Sequence, residues 1–122
     1  MKILDRIRSW WPFGTVPETG AEELRELARS GRVQIVDVRT RMEFRRSRIP
    51  GARHLAITRF TRTGIQSLDL DAARPVVAVC LTAHRSVPAV RILRRQGYDA
   101  RQLRAGMRAW WHAGLPCETG GP

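Results

Sequence analysis

In the stretch VVAVCLTAHRSVPAVRIL, residues 76–93, a cysteine closes an apolar run, and a histidine, an arginine and a serine follow within six positions. A thiol becomes a useful nucleophile as its thiolate, so the question is what surrounds Cys80. Val76–Val79 reads as a buried strand, which places Cys80 at its carboxyl end. Ser86 is set to cap a following helix, with Pro88 in the first turn where a missing N–H costs nothing. Such a helix aims its free N–H groups and the positive end of its dipole back at the loop. His84 and Arg85 add further positive charge. These features favour anionic sulfur and predict a reactive Cys80; the competing reading is a buried structural thiol, a common fate for free cysteine.

The rest of the chain supplies the frame. Residues 1–11 carry Ile3, Leu4, Ile7, Trp10 and Trp11 at helical spacing, and Pro12 and Gly14 end that amphipathic segment. Residues 1–14 are therefore read as an extension and 15–122 as one domain. Thr19 followed by Glu22 is a capping-box pattern opening a helix with Leu24, Leu27 and Ala28 on its inner face, closed by Gly31. VQIVDVR is a buried strand, RMEFRRS a short helix, and IPGARHLAI a turn leading into an extended segment. GIQSLDLDAARP is expected to be a loop with one helical turn. VVAVC is the second buried strand, YDARQL a further strand, and MRAWWHA a last helix stopped by Gly114 and Pro116. Strands alternating with helices of about ten residues give an α/β class around a mainly parallel sheet. In such sheets ligands bind beyond the carboxyl ends of the strands. Cys80 lies there, and so do Asp37 and Arg39, which are assigned a supporting role through pairing with Glu43 or the cysteine loop.

Composition narrows the classes. At 122 residues with 43% hydrophobic content, one core is expected and wholesale disorder is excluded. Two cysteines do not make a disulfide scaffold. Arg6 and Arg8 interrupt the apolar stretch a secretory signal needs, so a reducing cytoplasm with free thiols is the expected setting. The formal charge of +11 is nearly all arginine, Lys2 being the single lysine. Arginine-favouring codons and solubility explain much of it, and attraction of small anions or an acidic partner is the functional alternative. The arginines are spread along the chain with no accompanying nucleic-acid motif, which argues against nucleic acid as a partner. Residues 1–11 could pack on the domain, or meet an anionic membrane as a peripheral contact.

Taken together, VDVRTRMEFRRSRIPGARHL, VVAVCLTAHRS and AGMRAWWHAGLP resemble, in order and spacing, the signature segments of the rhodanese-like sulfurtransferase domain over residues 15 to 117. The resemblance implies a rhodanese-like fold, with about five mainly parallel strands flanked by helices on both faces and the active loop starting at Cys80. It implies that Cys80 takes sulfane sulfur from a donor such as thiosulfate, becomes a persulfide, and passes the sulfur to cyanide or a thiol, with neither cofactor nor metal. Leu81, Thr82, Ala83, His84 and Arg85 would form the cradle, with Ser86 behind it and Arg85 holding an anionic donor. A carrier or redox-sensing domain loaded by a protein sulfur donor is the alternative within the same fold, and an inactive binding module a third. Related phosphatases place their arginine seventh from the cysteine; here Ser86 stands seventh and Arg85 sixth, a loop better sized for sulfur than for phosphate.

The match departs from the family pattern at a few points. Ala83 stands where glycine is frequent, and a positive φ there would cost alanine roughly 1 kcal/mol. Ser47-Arg48 replaces Gly-His, and Ala105 replaces the first of two glycines before Met107. Of Trp110 and Trp111, one is expected in the core and the other at the substrate mouth. Cys117 is read as an incidental thiol, the alternative being a resolving cysteine on a tail folded over the loop.

Overall fold

The computed structural model describes residues 14–121. The expected helix over residues 1–11 therefore lies outside the described residues. Five strands form one parallel sheet: β1 (Glu18–Thr19), β2 (Gln34–Asp37), β3 (Arg53–His54), β4 (Val76–Val79) and β5 (Ala100–Leu103), in the order β1-β5-β4-β2-β3. The helices are α1 (Ala21–Arg29), α2 (Arg41–Arg46), α3 (Arg62–Gln66), α4 (Ser86–Arg95) and α5 (Gly106–His112), with a 3-10 turn at Ile57–Arg59. GIQSLDLDAARP thus carries the end of one short helix and then loop, as its mixed pattern predicts.

β2 and β4 are buried along their whole length; β4 accordingly reads as an unbroken apolar run, while β2 carries Gln34 and Asp37, each hydrogen-bonded, at its two ends. Their two faces serve two cores. Val36, Val76 and Ala78 face Ile65 of α3 and Ala89, Val90 and Leu93 of α4. Ile35, Val77 and Val79 face Leu24 of α1 and Met107 and Trp110 of α5. Helices therefore cover both faces, as a parallel sheet requires.

Two local predictions are corrected. Thr19 does not cap α1. It is buried in β1 opposite Leu103, and the N-cap is Gly20 with no side-chain hydrogen bond. Pairing with the sheet edge outweighs a surface cap here. The capping box instead opens α2: the Glu43 N–H donates to Thr40 Oγ1 at 3.2 Å, and the Thr40 N–H donates to Glu43 Oε1 at 3.1 Å. Nor does Ser86 cap α4, where Arg85 holds the cap position without a side-chain bond. The Ser86 hydroxyl turns inward.

The chain leaves β2 toward β3 on one side and returns to β4 on the other, so β2 and β4 are neighbours whose following segments diverge. That divergence opens a crevice at the carboxyl edge of the sheet, the usual place for a ligand site in open α/β folds. The segments at that crevice are Val38–Thr40 and the loop after Val79.

Candidate active site

Cys80 follows β4 directly and is 1% exposed, packed within the α3–α4 core. Two donors face its sulfur. The Ala83 N–H donates to Sγ at 2.8 Å, and the Ser86 Oγ lies 3.6 Å away. The loop curls tightly enough to bring the amide of the third residue back over the thiol. That curl needs Ala83 at φ +85°, the left-handed region that alanine adopts at a cost. The environment is thus hydrocarbon on one side and a partial cradle on the other, not a closed ring of amides.

The loop is held from below by α5. The Met107 N–H donates to the Cys80 carbonyl at 2.8 Å and the Arg108 N–H to the Leu81 carbonyl at 3.2 Å. The first free amides of α5 therefore orient the loop backbone. Contact is so close that a Cβ on Gly106 would overlap the Cys80 and Leu81 carbonyls, which explains glycine there at φ +60°. Ala105 precedes it at φ +58°, a second strained alanine where the family pattern carries glycine.

Arg85 does not stand open in the loop. Its Nη1 and Nη2 donate to the two Glu43 oxygens at 2.6 and 2.9 Å, a bidentate pair tying the loop to α2. The Arg85 hydrogen bonds hold the Glu43 carboxyl down at about 2, with bonds from Thr40 adding to the effect and partial burial opposing it. Glu43 in turn raises Arg85 above its ordinary value, with partial burial opposing.

Asp37 and Arg39 pair with each other, a correction to their expected pairing with Glu43 or the loop. Arg39 Nη2 donates to Asp37 Oδ2 at 2.7 Å and to the Ser47 carbonyl at 2.6 Å. Both side chains are almost fully buried. Glu43 is unavailable because Arg85 occupies both its oxygens. The pair clamps the turn after β2 to the end of α2 and so fixes one wall of the crevice.

Thr82 Oγ1 and His84 Nδ1 lie 3.0 Å apart at the loop surface, and His84 is exposed. Leu81, Thr82 and Ala83 are half-buried. Trp110 is the core tryptophan. Trp111 is 41% exposed, hydrogen-bonded to Ser47 Oγ at 2.9 Å with the Arg39 guanidinium 6.0 Å from its ring. Cys117 is exposed in the tail beyond α5, its Sγ 3.7 Å from the Leu115 carbonyl. That tail is fastened to Arg48 by the bridge through Glu118, well past the helix end that touches the loop.

Sequence reasoning passed over Gln102 and Glu18. The Ser86 hydroxyl donates to Gln102 Oε1 at 2.7 Å, and Gln102 Nε2 donates to Glu18 Oε2 at 2.9 Å. A glutamine inside the strand ARQL was the available signal, since a buried amide needs partners. Among the described residues no group of His, Cys, Asp and Glu could hold a metal. A cavity of about 480 Å³ lined by Arg25, Arg29, Ile49, Pro50, Trp110 and Pro116 opens on the α1–α5 side and contains none of the loop residues.

The model of the rhodanese-like domain matches residues 20–113. The chain belongs to that family. Among curated relatives, an HTH-type transcriptional regulator of Mycobacterium tuberculosis is 37% identical over 85% of this chain and 45% of its own length. A tRNA sulfurtransferase of Desulfurococcus amylolyticus is 38% identical over 66% of this chain and 15% of its own. A sulfurtransferase of Allochromatium vinosum is 35% identical over 83% of this chain and 94% of its own. The chain thus spans less than half of the first two. Among solved structures, a rhodanese-like domain protein of Staphylococcus aureus superposes with a TM-score of 0.71 at 27% identity, covering 87% of this chain and all of that one. This rhodanese-like domain has relatives that support sulfurtransferase chemistry in general. Among the described residues no helix is long and apolar enough to cross a membrane.

Proposed function

We propose that Cys80 is the nucleophile of a sulfurtransferase that moves sulfane sulfur from a donor such as thiosulfate to cyanide or a thiol. The Cys80 thiolate attacks the outer sulfur of thiosulfate. The S–S bond of the donor breaks, its electron pair leaves with sulfite, and a Cys80 persulfide forms. An acceptor thiolate or cyanide then attacks the outer persulfide sulfur, and the electron pair returns to Cys80 Sγ. Neither half-reaction needs an oxidant or a bound cofactor.

The observation that carries this reading is the Ala83 N–H aimed at Cys80 Sγ from 2.8 Å, in the crevice at the sheet's carboxyl edge. A fixed donor at that atom stabilises negative sulfur in the thiolate and when the persulfide discharges. Leu81, Thr82, His84 and Arg85 complete the loop around that donor. Ser86 supplies a hydroxyl, and the Asp37–Arg39 pair supports the wall. Incubation with thiosulfate should add one sulfur atom to the intact mass, and Cys80→Ser should abolish the gain. Thiocyanate formation no faster in the wild type than in that variant would refute the activity.

The reading of a persulfide carrier or redox-sensing domain keeps the same site and is favoured by particular features. Arg85 is neutralised by Glu43, Cys80 is 1% exposed, and Ala83 strains the loop, all of which disfavour rapid turnover of a small anion. The resemblance to a transcriptional regulator points the same way. Slow thiosulfate turnover with fast loading from a cysteine desulfurase would select this reading; fast turnover with thiosulfate would reject it.

A further inference from the structure

Residues 39–62 carry eight arginines and one carboxylate, Glu43, which Arg85 already occupies. This segment forms the β3 edge of the sheet. The opposite edge is close to neutral: Glu18 on β1 pairs with Arg104, and α1 sets Glu22, Glu23 and Glu26 beside Arg25 and Arg29. A second basic stretch, residues 91–108, carries six arginines and Asp99, but there Arg94 and Arg101 pair with Asp99 and Arg104 pairs with Glu18. The segment 39–62 includes α2, the helix joined to the cysteine loop through Glu43 and Arg85.

The guanidinium groups of Arg41, Arg45 and Arg46 on α2 make no ion pair or hydrogen bond among the described residues, while the Arg45 carbonyl accepts from the Gly120 N–H at 2.7 Å. They line a cavity of about 450 Å³ with Met42 and Gly120. Met42 is 69% exposed, and it and Trp111 are the large apolar side chains most open to solvent among the described residues. A solvated basic face has no need of a methionine in its middle. Arginine and methionine together are what the cores of protein–protein interfaces enrich, methionine because its unbranched thioether moulds to a partner. Nucleic acid would ask for planar side chains on which bases stack, and α2 presents an aliphatic one.

We propose that α2 and the cavity around Met42 dock an acidic protein segment with an apolar anchor, whose cysteine exchanges sulfur with Cys80. This rests on the persulfide chemistry above. In the exchange, the partner's thiolate attacks the outer sulfur of the Cys80 persulfide. The Cys80 S–S bond breaks, a new persulfide forms on the partner, and the electron pair stays on Cys80 Sγ. Docking on α2 brings the partner to the side of the loop anchored by Glu43. The partner then reaches a site whose own arginine is neutralised.

The test uses the full chain, loaded with thiosulfate and freed of excess donor. Its probe is a synthetic peptide of glutamates and leucines around one cysteine, compared with the same peptide carrying glutamine for glutamate. Loading itself reads the persulfide chemistry; only a chain that loads reports on docking, so the two failures are distinguishable. The acidic peptide should discharge the persulfide about tenfold or more faster than the neutral one at about 10 mM salt. That advantage should vanish at about 1 M salt, where the screening length shrinks to roughly 3 Å. Arg41→Gln with Arg45→Gln should remove it while leaving discharge by 2-mercaptoethanol unchanged, and Met42→Ala should slow discharge by both peptides at both salt concentrations. Equal rates with both peptides would overturn the proposal. So would an arginine variant that slows the small thiol equally, or a mixed-sequence RNA oligonucleotide that displaces the acidic peptide at equal phosphate and carboxylate concentration.

Discussion

Replacing Ala83 with glycine should stabilise the domain, and the amount follows from one dihedral angle. Ala83, whose N–H meets Cys80 Sγ, sits at φ +85°. An L-residue in left-handed backbone costs about 1–2 kcal/mol, which glycine avoids. Glycine loses about 0.5–1 kcal/mol more backbone entropy on folding. The difference is a net gain within about 0–1.5 kcal/mol, centred on about 0.75 kcal/mol, for Ala83→Gly. Ala83→Val should move the other way by more, because a β-branched residue at positive φ is a true outlier. Urea unfolding followed by tryptophan fluorescence, with unchanged slope, measures both. Alkylation of Cys80 by iodoacetamide provides a second readout, since glycine keeps the donor in place and valine displaces it. The glycine variant should react within about twofold of wild type, and the valine variant more slowly. Equal stability for all three proteins would refute the strained loop.

Glu43→Gln should cost about 1 kcal/mol at neutral pH, a figure kept small because the paired side chains are 33% and 30% exposed. Glu43 lies below its ordinary 4.5, so its contribution is complete above that value and lost as pH falls through about 2. Urea midpoints of variant and wild type should therefore differ at pH 6 and converge toward pH 2; a constant gap would exclude the pair as the source. Asp37→Ala should cost about 3–5 kcal/mol by leaving the Arg39 guanidinium buried without its counter-charge. A loss below 1 kcal/mol in the same assay would mean that water reaches Arg39. Gln102→Leu should speed Cys80 alkylation, because the Ser86 hydroxyl, now given to Gln102, is released toward the sulfur. No change beside a slowed Ser86→Ala protein would show that the hydroxyl already serves Cys80.

The strands were legible where burial on both faces leaves a plain signal. VQIVDVR and VVAVC could hardly be anything else in a chain this short, and the carboxyl-end position of Cys80 followed from them. The alternation with helices then implied the parallel sheet. What escaped were features decided by contacts distant in sequence. Thr19 has the composition of a cap, yet two residues of pairing with β5 at Glu18–Thr19 draw it into the sheet, a partner more than 80 residues away. Ser86 has the same ambiguity, and Gln102 on the neighbouring strand resolves it by accepting the hydroxyl. The capping box at Thr40 was a local signal that could have been read, since Glu43 stands three residues on. Asp37 and Arg39 were placed correctly at the strand end, but their partner depended on Glu43 being taken by a loop residue 42 positions later.

The burial of Cys80 bears unequally on the two halves of a sulfur transfer. Loading requires Sγ itself to approach the donor sulfur in line, and an atom in a residue 1% exposed must wait for residues 81–85 to move. Discharge makes a smaller demand, because the transferable atom lies one bond farther out, under loop residues that are already half-exposed. The loop is tethered at one end by the α5 amides on the Cys80 and Leu81 carbonyls and at the other by Arg85 on Glu43. Between these tethers lie Thr82, the strained Ala83 and the exposed His84. Relief of the strain at Ala83 favours opening in that segment, while the loss of its N–H bond to sulfur opposes it.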